Sequence, residues 1–264
     1  MIIGFLGAGA MGGALLSGAL AAGVFTAEKA RVYDLSEELQ AKYKAMAVKC
    51  METPAQLAEE ADLIVLAVKP QQAETALAGF GSAIAGKAVI SIMAGLPLAK
   101  LSAMLPDGTR ILRTMPNTPA LVGAGAFALC SDTNLLPEER AFAEKLFGAL
   151  GIVEWMSEPL IDAACGLSGS GPAFVALFVE ALADGGVLMG LPRKTALRLA
   201  EQTVMGSAKL LLETGKTPAD LKDMVSSPGG TTIAGVQALE EGALRAAAMD
   251  AVERATEKSR ELGK

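Results

Sequence analysis

Six residues near the start of the chain have the types and spacing to hold a pyrophosphate. Gly7-Ala8-Gly9-Ala10-Met11-Gly12 is a G-x-G-x-x-G between a short apolar run, Ile2–Leu6, and an Ala/Leu-rich stretch ending near Gly23. In such a loop the first glycine allows a tight turn and the second lets the backbone approach phosphate oxygens. The third lets a helix lie close to a strand, and the helix N-terminus offers free amides and a positive dipole end. Asp34 follows at the end of a second apolar run, Ala30–Tyr33, about 20 residues further on, where such units place an acid on the ribose 2′-hydroxyl. That carboxylate accepts from a 2′-hydroxyl and repels a 2′-phosphate, which favours NADH. Its alternative use is to cap a helix starting at Ser36.

Three later strand exits carry unusual residues: Ala67-Val68-Lys69-Pro70, Met93-Ala94-Gly95 and Met115-Pro116-Asn117-Thr118-Pro119. Lys69 has two readings, a contact to cofactor phosphate or ribose and a solvated rim lysine. Two hydroxyl-rich glycine segments read as loops at helix starts, 166–172 and 226–232. In the second, Ser227 reads as an N-cap and Pro228 as the first helical residue, followed by Gly229, Gly230, Thr231 and Thr232. Hydroxyls and bare amides at a helix N-terminus suit a small carboxylate, and they also serve ordinary capping.

The elements that must position these residues alternate. Strands are expected at 63–68, 89–92, 110–115, 125–130 and 151–156, with helices at 57–61, 73–80, 98–105 and 137–150. Such alternation implies an α/β domain built on a Rossmann-type, mostly parallel sheet whose ligands lie at the carboxyl ends of the strands. From Glu158 the strand signals stop and apolar helices follow at 171–189, 194–213, 218–225, 228–240 and 243–261. The expected division is a dinucleotide-binding domain, 1–157, and an all-helical substrate-binding and dimerisation domain, 158–264. The helix from Gly171 is apolar on nearly every side, which predicts burial in its own chain or against a partner.

Composition excludes several chemistries. The chain has 264 residues and no histidine, so no Ser-His-Asp triad, Cys-His dyad or His-ligated zinc is available. A net charge of −6 argues against a nucleic-acid-binding face. Three dispersed cysteines without a C-x-x-C fit reduced, structural thiols in a cytoplasmic protein. The first 27 residues carry no charge. Their glycines and the missing basic leader favour a strand–turn–helix over a signal or membrane segment, so no membrane partner is expected.

Taken together, GFLGAGAMG at 4–12, LAVKPQ at 66–71, MPNTPA at 115–120, GLSGSGPAF at 166–174, ADGGVLMGLPR at 183–193 and LKDMVSSPGGTTIAGVQALE at 221–240 resemble pyrroline-5-carboxylate reductases. The last stretch is the most specific. The resemblance implies a Rossmann domain followed by a helical domain through which subunits pair as homodimers, with decamers as a further assembly. It implies hydride transfer from NADPH or NADH to the C=N carbon of 1-pyrroline-5-carboxylate, giving L-proline as the last step of proline synthesis.

Carried over by position, cofactor contacts fall on Gly7, Ala8, Gly9, Ala10, Met11 and Gly12, on Ala67, Val68, Lys69 and Pro70, and on Met93 and Ala94. The substrate site falls on Glu158, Ser227, Gly230, Thr231 and Thr232. Asp34 and Pro54 depart from the family's pattern and point away from its usual NADPH preference. A protonated cyclic imine accepts hydride without a strong general acid, so Thr232 is expected as the catalytic residue, its hydroxyl meeting the ring nitrogen.

Overall fold

The computed structural model describes residues 1–263, and its chain forms two compact units. Unit 1 comprises residues 1–170 and 253–264; unit 2 comprises 171–252. The division falls after Ser170, so the short helix at 158–164 and the end of the last helix belong with the sheet.

Unit 1 contains, in chain order, β1 (Ile3–Leu6), α1 (Ala10–Ala21), β2 (Ala30–Tyr33), α2 (Glu37–Ala45), β3 (Lys49–Cys50), α3 (Pro54–Glu60), β4 (Leu63–Leu66), α4 (Ala73–Ala78) and β5 (Ala88–Ser91). It continues with α5 (Leu98–Met104), β6 (Arg110–Met115), β7 (Gly125–Cys130), α6 (Pro137–Gly148), β8 (Gly151–Met156) and α7 (Glu158–Ala164). The strands form one eight-stranded sheet in the order β3-β2-β1-β4-β5-β6-β7-β8. Every pairing is parallel except that of β6 with β7. β1, β4 and β5 are buried at every residue, as central parallel strands covered on both faces must be. Two apolar clusters fill the two faces, one around Leu15, Val65 and Phe147 and the other around Leu57, Ile64 and Phe80.

At the start of β6, Arg110 donates to both oxygens of Glu139, which is only 6% exposed and also accepts from the Leu136 amide at 2.9 Å. Burial alone would raise the Glu139 carboxyl. The Arg110 guanidinium and the Leu136 amide overcome that and hold it below its ordinary value.

Unit 2 contains α8 (Gly171–Leu188), α9 (Arg193–Thr214), α10 (Pro218–Met224), α11 (Thr231–Glu241) and the first half of α12 (Leu244–Leu262). Its own core is thin, with Ala183, Ala196 and Ala200 buried and Val179 and Val187 packed on them. α8 buries only Ala183. The continuous helical stretch 158–188 is long and apolar enough to cross a membrane, and only 6% of its most apolar window is buried. Among the described residues, the expected burial of α8 is therefore not provided.

Two segments differ from the loops expected of them. Residues 166–172 are helical: a π-helical turn, Cys165–Gly169, joins α7 to α8. Ser168 Oγ donates to the Ala164 carbonyl at 2.9 Å, and Ser170 N–H reaches the Cys165 carbonyl at 2.9 Å. These bonds carry the helix across glycines that favour a loop on composition. α11 starts at Thr231, with Gly230 as its N-cap, not at Pro228 behind Ser227. Gly229 has φ +66, and Gly230 N–H donates to the Ser227 carbonyl at 3.0 Å. Pro228-Gly229 thus forms the centre of a β-turn that delays the helix.

Candidate active site

β1 leads into Gly7 and the neighbouring β4 into Ala67, at the point where the strand order reverses and such sheets bind their ligands. Gly7 turns with φ +88 and donates to the Tyr33 carbonyl at 2.8 Å. A Cβ on Gly12 would fall 2.5 Å from the Gly7 carbonyl oxygen and 2.7 Å from Ala67 Cβ, so glycine alone lets α1 lie this close. A Cβ on Gly9 would meet nothing within 4 Å. Gly9 is the N-cap of α1 without a side-chain cap, and Ala10 is exposed beside it. Open space and uncapped amides fit the pyrophosphate of a dinucleotide. Ala8 and Met11 turn their side chains towards the core, leaving backbone as their contribution.

Asp34 is drawn into this loop. Its Oδ2 accepts from the Ala8 amide at 2.7 Å and its Oδ1 from the Ser36 amide at 2.9 Å. The cap of α2 is Ser36 itself, whose hydroxyl accepts from Leu39 N–H at 3.3 Å. From the other side Tyr43 donates to the Ala8 carbonyl at 3.2 Å. Ala8 is held at both its amide and its carbonyl.

At the exit of β4, Ala67 and Val68 are half-buried, Lys69 is exposed and Pro70 opens a short 3₁₀ turn. At the exit of β5, the Met93 side chain is 2% exposed within the core and Ala94 is half-buried. Any ligand contact of Met93 is therefore through its backbone. The Asn117 side chain, from the third exit, accepts from the Ala126 amide at 2.8 Å and so fixes the start of β7.

On unit 2, Ser227 and Thr231 are exposed, Thr232 and Gly230 half-buried. Gly230 supplies no side-chain cap, which leaves the first amides of α11 and both threonine hydroxyls on one helix end.

Glu158 lies on unit 1 and is already engaged. Its Oε1 accepts from the Leu98 amide at 2.6 Å and from Arg113 at 3.3 Å. Arg113 also donates to Asp162 at 2.8 Å, and Asp162 accepts from Ser259 at 2.7 Å. Sequence reading did not single out Arg113, Asp162 or Ser259. The available signal was an arginine inside the apolar run I-L-R-T-M and two acids four residues apart on one helix face. The thiols of Cys50, Cys130 and Cys165 are all pushed up by burial, which makes them poor nucleophiles.

Comparison with known proteins decides the family. The model of the pyrroline-5-carboxylate reductase dimerisation segment matches residues 158–262. A pyrroline-5-carboxylate reductase of Methanosarcina acetivorans is 47% identical over 99% of this chain and 98% of its own. The chain belongs to the pyrroline-5-carboxylate reductase family. Within that family the Escherichia coli enzyme is 42% identical, over 99% of this chain and 98% of its own. The Plasmodium falciparum structure, solved with NADP bound, superposes with a TM-score of 0.90 at 36% identity, covering 100% of this chain and 98% of that one. Residues 2–95 also match the model described as NADP oxidoreductase, coenzyme F420-dependent, in keeping with a nucleotide-binding sheet. The family's dimerisation segment spans α7 to α12 in this chain.

Proposed function

We propose that this protein reduces 1-pyrroline-5-carboxylate to L-proline with NADH or NADPH, the last step of proline biosynthesis, in the cytoplasm. The observation that carries the reading is the pairing, in one chain of this family, of two bare helix starts. One is the anchored glycine loop at α1, and the other is the hydroxyl-bearing turn at α11.

A bound reduced nicotinamide supplies the hydride that ends on the C=N carbon. The amides of Gly9, Ala10 and Met11 hold the pyrophosphate, Gly7 and Gly12 keep strand and helix out of its way, and Ala67–Pro70 with Met93 and Ala94 line the remaining strand exits. Ser227, Gly230 and Thr231 hold the substrate carboxylate at the start of α11, with helix amides supplying positive potential. Thr232 Oγ accepts from the protonated imine nitrogen and keeps that proton in place while the carbon is reduced. The product is a secondary amine, so the residues need only position and screen charge, which suits a chain without histidine.

Asp34 uses one lone pair of each oxygen on Ala8 and Ser36, so each oxygen keeps capacity for a ribose hydroxyl. Its charge opposes a 2′-phosphate, and NADH is used at least as well as NADPH. The uncovered apolar surface of α8 and α9 supports pairing with a second copy through the helical segment, with decamers as the larger assembly.

The direct test is the loss of nicotinamide absorbance when protein, 1-pyrroline-5-carboxylate and either cofactor are mixed. Cofactor binding without oxidation in both cases would replace the enzyme with a nucleotide sensor.

A further inference from the structure

The peptide that joins Ala8 to Gly9 is held from inside unit 1 by a residue outside the glycine loop. Ala8 is fully buried, and its carbonyl falls outside the ladder of α1, whose first acceptor is the Gly9 carbonyl, bonded to the Gly13 amide at 2.8 Å. A buried carbonyl in that place needs a donor. Tyr43, also fully buried, supplies one from α2, its hydroxyl lying 3.2 Å from the Ala8 oxygen. Gln40, three residues earlier and so on the same face of α2, donates to the Asp34 carbonyl at 2.8 Å. One face of α2 holds both the loop and its acid.

Gly13 makes room for the tyrosine hydroxyl. It is not one of the three glycines of the G-x-G-x-x-G, and it sits inside α1, where no left-handed φ calls for glycine. A Cβ there would collide with the Tyr43 hydroxyl and stand 2.9 Å from the Ala8 carbonyl oxygen. The consequence lies on the other side of the peptide. It is trans and planar, so its carbonyl and its N–H point in opposite directions. With the Ala8 carbonyl drawn in to Tyr43, the Gly9 N–H points away from α2, at a residue beside which a Cβ would meet nothing within 4 Å.

We propose that Tyr43 is a positioning residue for the cofactor: through the Ala8 carbonyl it aims the Gly9 amide at the pyrophosphate, and position 13 is glycine to seat the tyrosine hydroxyl. The inference rests on the proposed reading that the 7–12 loop holds the pyrophosphate. Tyr43 itself touches no ligand. Its whole effect passes through one rigid peptide, so it acts on the phosphates and leaves base, ribose and imino acid alone.

Two small substitutions test this from opposite sides of the contact. Tyr43→Phe keeps the buried ring and removes only the donor. Gly13→Ala keeps the tyrosine and crowds its hydroxyl off the carbonyl. Titration of NADH and NADPH fluorescence, with ADP-ribose measured by competition, should give Kd values raised about threefold to tenfold in each variant, the scale of one lost hydrogen bond. All three ligands carry the pyrophosphate, so their losses should agree within about twofold. Adenosine, which has the base and ribose but no phosphate, should keep its parental Kd in the same competition. At saturating cofactor, kcat and the KM for 1-pyrroline-5-carboxylate should stay within about twofold of the parent values. Parental affinity for all three ligands in both variants would overturn the proposal. A loss that falls equally on adenosine, or one that changes the ratio of NADPH to NADH affinity, would put the effect on Asp34 and the ribose and overturn it too. A parent protein that binds none of the three ligands would remove the nucleotide reading and this inference with it. The binding measurements need no turnover, so they report on Tyr43 even if the proposed reduction fails.

Discussion

The two compact units are built on opposite economies of burial. Unit 1 closes its own core, with three strands buried at every residue and large apolar clusters on both faces. Unit 2 buries three alanines and leaves Leu177 at 66%, Leu188 at 84% and Leu212 at 77% exposure. Three alanine side chains cannot offset the conformational entropy of a unit this long. The difference teaches that the sheet unit is specified within one chain, whereas the helical unit leaves apolar faces that the proposed pairing would cover.

The sharpest way to break that comparison is a charge on the uncovered face. Leu177→Arg should abolish dimerisation and most turnover, because an unpaired charge buried at an interface costs several kcal/mol. Light scattering that still shows the parental assembly, with parental activity, would mean the face of α8 is open to solvent. Next in size, Thr232→Ala should lower kcat/KM about tenfold or more if its hydrogen bond strengthens in the transition state. Unchanged steady-state constants would remove Thr232 from the chemistry.

Glu139→Gln should destabilise unit 1 by about 1–3 kcal/mol, independent of protein concentration, as read by denaturant unfolding. The Glu139 carboxyl is held below the ordinary glutamate value of 4.5. Its stabilisation is therefore present above pH 4.5 and lost as pH falls through the lower folded value, so the variant should show a flatter acid limb. The smallest effect is expected at Asp34. Asp34→Ser should shift the NADPH-to-NADH ratio of kcat/KM several-fold towards NADPH, and a parent with about a hundredfold preference for NADPH would overturn that role.

The sheet was legible because its strands are apolar runs ending in glycine, proline or acid at the carboxyl side. Most observed strand bounds fall within two residues of expectation. β3 was not legible, since two residues, Lys49–Cys50, show no period. The 166–172 segment misled because its glycines and serines have loop composition, whereas helices on both sides and back-bonding by Ser168 keep it wound. The start of α11 misled because Ser227-Pro228 has capping chemistry that the left-handed Gly229 diverts into a turn. Among the candidate site residues, the glycine loop and the threonine turn are each local motifs and could be read. The bonds from Arg113 join residues 45 and 49 positions apart, and Asp162 to Ser259 spans 97. No window of sequence contains them.

The grip of Asp34 and Tyr43 on Ala8 has a kinetic consequence. With this loop set in advance, the proposed nucleotide should lose little freedom on capture, and its association rate should change little when the loop is further rigidified. Any discrimination between the two nicotinamide nucleotides should then show in how long each remains bound.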